Sequence, residues 1–306
     1  MEKLDHFEQE VETAVEIGGL DRTRNLKIRT FAGLVLTPVF RELQPRLNYA
    51  AMGRHGVTPM QYYDDFENCR APFGYGDRFN GRYEVRLCRS ISGGRRESSS
   101  EVNRVVRLIL ETRATILGRV AVGPPPSLGY EPELGAPAVA GRGRVLHVLT
   151  RPHSEPGQRT VSEVPRELSF LAVQPLDGLY PTIPLLATLE QRFSMIATLH
   201  HRGIWGVANS DVYQHINARE YIAMMENGIT AALCQAAIPL DAYVALRARI
   251  IFRRPSFVGQ AYVLDVRLYR CDDDITALGI FQPDGQGHRT DPSGAAVFLR
   301  FDGALA

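Results

Sequence analysis

The chain has 306 residues, 44% of them hydrophobic and 23% charged, and a formal net charge of +1. That is ample apolar material for a core, and it excludes a chain that is disordered along its length. The balance of 35 Lys+Arg against 34 Asp+Glu argues against a nucleic-acid binder, which needs a concentrated basic surface, and leaves open only a local basic patch.

A length near twice that of a common domain predicts two domains, or one duplicated domain. In chain order, the acidic start MEKLDHFEQEVETAVEIGG lacks the basic and apolar regions of a signal peptide, and no run of 18 apolar residues follows anywhere. The expectation is a cytoplasmic protein without a membrane partner. Residues 8–16 are expected to form a short helix, and LKIRTFAGLVLTPVF is apolar without a clear period. His55 and Gly56 then sit in a loop ahead of a helix predicted to open near Pro59, since proline is tolerated in a first turn. YEVRLCRSI alternates as a strand does, and NRVVRLILETRATILGRVAV supplies more strand material. From Gly123 to Gly143, density in Pro and Gly predicts an extended connector. RVLHVLT is strand-like, and residues 151–184 show no clear pattern.

The last third is more regular. FSMIATL is a candidate strand, HHRGIWGVANSDVYQHIN a loop, and AREYIAMMENGITAALCQAA a helix with Asn217 as N-cap. Ile222, Met225, Ile229 and Leu233 recur at helical spacing, widened by Tyr221 and Met224, so most of that helix is expected to be buried. Three strands, VALRARIIF, YVLDVRLYR and AAVFLRF, close the chain. Cys69, Cys88, Cys234 and Cys271 lie far apart without CxxC spacing, so reduced structural thiols and no metal are expected. Lys3 and Lys27 are the only lysines, so the other 33 basic residues are Arg, a bias that suggests a GC-rich bacterial coding sequence. Aligning Tyr62 with Tyr221 also aligns Glu67 with Glu226 and Asn68 with Asn227, which suggests an internal repeat of loop, buried helix and strands.

The segment WGVANSDVYQHINAREYIAMMEN resembles the signature of hotdog-fold thioesterases of the 4-hydroxybenzoyl-CoA type. The match runs through Trp205, Asp211, His215, Ile216, Asn217, Tyr221 and Glu226, with Asn209 in place of a first Asp and Gln214 in place of the usual Gly. The resemblance implies an α+β double hotdog: two long helices, each wrapped by an antiparallel sheet, with a first unit over 1–184 and a second over 185–306. It implies that Asp211 is base or nucleophile toward a thioester carbonyl, and that His215 and Asn217 orient the loop or the substrate. Helix first-turn N–H groups would hold the oxyanion. Competing readings are a turn-capping acid for Asp211, loop and cap hydrogen bonds for His215 and Asn217, and a core ring for Tyr221.

The repeat would place Met52 opposite Asp211 and Gly56 opposite His215, leaving the first unit without that carboxylate. His55-Gly56 followed by Asp64 is similar to a second hotdog pattern, in which an HG pair opens a helix that carries the catalytic acid; a solvated acidic helix face competes with it. Tyr62, Glu67, Trp205, Tyr221 and Arg253 are candidate substrate contacts, the arginine for a phosphate of CoA or phosphopantetheine. No cofactor is expected beyond such a group carried by the substrate. The implied activity is hydrolysis of an acyl-CoA or acyl-carrier-protein thioester, in polyketide-type metabolism. Double-hotdog acyltransfer, decarboxylation or dehydration, and a catalytically silent acyl-binding role, are the alternatives, with a homodimer as a further expectation.

Overall fold

The computed structural model describes residues 3–15, 19–20, 26–69, 72–73, 78–94, 103–122, 133–178, 180–210, 215–240, 243–285 and 292–305. In chain order these form β1 (Phe7–Ala14), α1 (Ile28–Arg41), α2 (Gln44–Leu47), α3 (Tyr49–Arg54), β2 (Thr58–Asn68), β3 (Arg78–Gly94), β4 (Asn103–Val122), β5 (Glu133–Thr150) and β6 (Val173–Pro175). There follow α4 (Ile183–Ala187), β7 (Ser194–Ile204), α5 (Ala218–Gln235), β8 (Tyr243–Phe252), β9 (Ala261–Cys271), β10 (Asp274–Pro283) and β11 (Val297–Leu305).

All eleven strands belong to one sheet in the order β1-β3-β4-β5-β2-β8-β11-β10-β9-β7, with β6 parallel to β3. Apart from β6, every pairing is antiparallel. The order is one five-strand pattern used twice and joined at β2 and β8. Each half places its long helix between its first and second strands, and α1 and α5 pack side by side against the same face of the sheet. The two helix-plus-sheet units expected from the sequence are therefore present.

The core lies between the helices and this inner face. α5 opens on Asn217, whose Oδ1 accepts from Arg219 N at 3.0 Å, and buries Tyr221, Ile222, Met225, Ile229, Ala232 and Leu233. Phe31 of α1 meets Phe66 of β2 edge-on, at 6.3 Å between centroids. The outer face carries a smaller apolar cluster in which Ile183 and Leu186 of α4 pack with Tyr63, Ile251 and Phe298. Asp177 fastens the same covering segment through Arg86 and Arg113, at 2.8 and 2.7 Å, while the fully buried Glu111 takes Arg113 and Arg144. No described helix is long and apolar enough to cross a membrane.

Four expectations are corrected. The helix expected over 8–16 is replaced by a strand: Phe7–Ala14 is an edge strand whose Glu10 and Glu12 meet Arg82 and Arg78 of β3, and Glu16 lies outside the described residues. The segment beginning at Pro59 is β2, not a helix. Proline is tolerated there because β8 joins β2 only from Tyr63 onward, which leaves one strand neighbour at Pro59. Residues 133–143 of the expected connector are part of β5, and 123–132 lie outside the described residues. A fourth C-terminal strand, β10, is buried on both faces between β9 and β11 and so shows no alternation.

The repeat is real, but its alignment is different. Tyr62 lies on a strand and Tyr221 on a helix; the helix equivalent to α5 is α1, and Met52 and Gly56 are not counterparts of Asp211 and His215.

The seat of α1 on β5 is close. A Cβ on Gly141 would stand 2.5 Å from the Glu67 carbonyl oxygen and 2.6 Å from the Phe31 ring, whereas at Gly157 it would meet nothing within 4 Å. Gly141→Ala is expected to lower stability by about 1–3 kcal/mol, and Gly157→Ala by less than about 0.5 kcal/mol. Urea unfolding of the two variants beside the parent checks this.

Candidate active site

The loop from β7 to α5 is tied at its base by backbone pairing. Asn217 N donates to Asn209 O at 3.0 Å, Ser210 bridges Ile216, and Ile216 N donates to Ser256 O at 2.9 Å. His215, half-buried, turns its ring edge-on to Phe257 at 4.9 Å. Asp211 and Gln214 lie outside the described residues, within the segment that this paired base brackets.

Asn209 ties the loop to Glu220 of α5, which Arg29 of the first unit also binds. Its Oδ1 accepts from Gly206 N at 3.0 Å, and its Nδ2 donates to Glu220 of α5 at 2.8 Å. Arg29 of α1 reaches the other Glu220 oxygen at 3.3 Å, and its backbone N–H donates to Glu226 at 3.2 Å. An aspartate at 209 would set two carboxylates against each other where the asparagine amide donates, which accounts physically for that departure from the motif.

Trp205 and Tyr221 do not line an open surface. Trp205 stacks on Tyr262 at 4.2 Å and meets Tyr221 edge-on at 5.0 Å, with Phe281 closing the box, and both residues are about 2% exposed. Burial pushes the Tyr221 hydroxyl up to about 12, against a hydrogen bond with Ser256. Tyr221 is a packing ring behind the loop, and it extends to Phe252 at the end of β8.

Asp64 stands on β2, not on a helix, and His55-Gly56 sits at the end of α3 in the turn before that strand. Its side chain shares the inner face with Phe66 and is fully buried, and the Gln61 amide donates to both carboxylate oxygens at 2.8 and 2.7 Å. Burial pushes its pKa up to about 7. Asp64 is the register partner of Ile250, two residues from Phe252, so the seam brings it toward the end of β8 that carries Tyr221 and the loop base. Gln61 faces His147 on β5; that imidazole is 1% exposed, and burial lowers its pKa to about 4. Sequence reasoning passed over both Gln61 and His147. The signal for the latter was a polar residue at the inward position of RVLHVLT, between Val145 and Leu149.

Tyr62 and Glu67 lie on the other side of the sheet. A bulge at Tyr62 turns it outward, where its ring stacks on Tyr180 at 4.8 Å and its hydroxyl donates to Pro181 O at 2.7 Å. Glu67 lines an outer-face groove of about 330 Å³ with Asp65, Arg142, Arg144 and Arg247. Arg253 is exposed and its guanidinium donates to the Ser293 carbonyl. Of the candidate contacts, these three are not gathered with His215 and Asn217.

No protein-family model matches the chain, and no curated protein matches its sequence. Solved structures do match, over nearly its full length. A putative oleoyl thioesterase from Lactobacillus plantarum aligns at a TM-score of 0.65 and 11% identity, covering 98% of this chain and 95% of that one. A 12:0-ACP thioesterase from Umbellularia californica gives 0.61 and 12%, covering 98% and 94%. An acyl-ACP thioesterase from Bacteroides thetaiotaomicron gives 0.56 and 11%, covering 98% of each. The chain is a double hotdog. In this double hotdog the motif loop belongs to the second unit, while Asp64 comes from the strand that the first unit contributes to the seam.

The raised pKa of Asp64 sets a sign. The folded double hotdog holds that proton more tightly than the unfolded chain does, so this group's contribution is full below about pH 4 and is lost as pH rises to about 7. Asp64→Asn is therefore expected to raise the melting temperature over the parent at pH 8, with the gain shrinking toward pH 5. Thermal melts at the two pH values check it, and an equal effect at both would count against burial of the ionised group.

Proposed function

We propose that the protein hydrolyses acyl thioesters carried by CoA or by an acyl carrier protein. The observation that carries this reading is the loop of the second unit, its base paired at Asn209/Asn217, delivering its chain into the capped N-terminus of α5. It is joined by the full-length likeness to structures described as oleoyl and acyl-ACP thioesterases.

In this mechanism the thioester carbonyl lies at the start of α5. Asn217 takes the Arg219 N–H with its side chain and the Glu220 N–H with its carbonyl, so the first-turn donor left at the helix end to stabilise negative charge is the Ala218 N–H, with the helix dipole behind it. Asp211 takes a proton from water, and the hydroxide attacks the carbonyl carbon. The tetrahedral oxyanion collapses, the C–S bond breaks, and the departing sulfur takes up a proton; the products are a carboxylic acid and a free thiol. His215 and Asn217 position the loop, the latter through the cap itself.

Asp211→Asn is expected to lower free-thiol release from acyl-CoA and acyl-carrier-protein substrates by about 10²–10⁴-fold, the range for loss of a general base, with an unchanged melting curve. Thiol detection with a panel of short, long, branched and aromatic acyl groups makes the measurement. Release that is unaffected by the substitution would remove Asp211 from the mechanism.

A further inference from the structure

The two halves of the sheet can be superimposed through an internal landmark. β2 carries a one-residue bulge at Tyr62 against β5, and β8 carries one at Leu246 against β11. Placing Tyr62 on Leu246 also places Asp65 on Arg249, the pair that face each other across the seam, so the alignment obeys the pseudo-twofold axis. Under it Gln61 corresponds to Ala245, Asp64 to Ala248, and His147, opposite Gln61, to Gly303, opposite Ala245.

Three inner-face positions are thus polar in the first half and Ala, Ala and Gly in the second. The fold does not require an imidazole or a carboxylate there; in the second half the Tyr243 ring takes up the space beside Gly303, and its hydroxyl is a single buried atom without a partner among the described residues. The polar set is nonetheless buried. Asp64 is 0% and His147 1% exposed, and neither ring nitrogen of His147 has a hydrogen-bond partner among the described residues. Unpaired polar atoms in a dry interior destabilise a protein, so such groups in native structures call for an explanation.

Position supplies one. The three residues share the face on which the helices lie, at the end of the seam where Phe252 meets Tyr221 of α5. The Phe40 ring stands edge-on to His147 at 5.6 Å and is itself 44% exposed, so the imidazole lies one side chain beneath the surface.

We infer that Gln61, Asp64 and His147 form a recognition site for a hydrogen-bonding substituent on the acyl group, which makes hydroxyacyl and oxoacyl thioesters the preferred substrates. The inference rests on the hydrolase reading above. A neutral imidazole offers one N–H and one bare nitrogen: an oxo group accepts from the first, and a hydroxyl donates to the second. A protonated Asp64 adds a further donor, and its carboxylate a further acceptor. An unsubstituted alkyl chain would leave the two His147 nitrogens unpaired, and sites built to hydrogen-bond a substrate reject analogues that lack the group.

The test compares kcat/KM for straight-chain acyl-CoA thioesters of equal length, unsubstituted or bearing a hydroxyl or oxo group at C3 or at mid-chain. At least tenfold preference for one substituted series is expected. It should fall toward unity in His147→Leu and be partly restored in His147→Gln, which keeps a donor and an acceptor. Should the leucine variant not fold, the parent's histidine ring ¹⁵N resonances serve instead: one histidine is expected to shift with a hydroxylated fatty acid and not with its unsubstituted counterpart. Hydrolysis without preference, or a preference that survives His147→Leu, overturns this inference and leaves the hydrolase reading standing. Absence of thiol release from every substrate overturns both.

Discussion

Five residues on each of two strands carry the architecture. Tyr63 to Glu67 of β2 pair with Ile251 to Arg247 of β8, and that antiparallel seam makes one sheet out of two. Arg247 adds a bidentate ion pair to Asp65 across it, at 2.7 and 2.6 Å. Once the seam is set, strand alternation decides the rest: Asp64 and Phe66 must face the helices, and Asp65 and Glu67 must face away. The seam also lays α1 against α5, so Arg29 can bind Glu220 and Glu226, and Glu220 also takes Asn209 of the loop base.

This arrangement explains why a duplicated fold need not have duplicated chemistry. The second unit brings the motif loop and the capped helix; the first brings the wall of β2 and β5. At the pseudo-symmetric location that wall is replaced by Ala245, Ala248 and Gly303, with the Tyr243 ring over the glycine. In the proposed site each half supplies a different part, the polar groups of β2 and β5 lying toward the seam end where Phe252 meets Tyr221.

Much of the second unit was legible in the sequence because its elements repeat their signals. The Asn217 cap, the helical stripe of α5 and the strands VALRARIIF and YVLDVRLYR each agree with the structure. The first unit was harder to read for physical reasons. β2 contains Asp64, Asp65 and Glu67, which look like an acidic helix face until the bulge at Tyr62 and the burial of Asp64 are known. α1 is apolar over most of its circumference because it packs against strands of both halves, so its period is masked. β10 lost its alternation by burial on both faces. In the candidate site, the Asn217 cap follows from local sequence, whereas the loop base depends in part on the distant pairing of Ile216 with Ser256. Asp64 was singled out on the wrong element, and His147 was not, since only long-range pairing shows that it faces Gln61.

In the proposed arrangement the two units make one asymmetric site, not two equivalent ones. Isothermal titration of the full chain with a hydrolysis-inert acyl-CoA thioether measures this directly. The account predicts one ligand bound per chain. Two equivalent ligands per chain would contradict it.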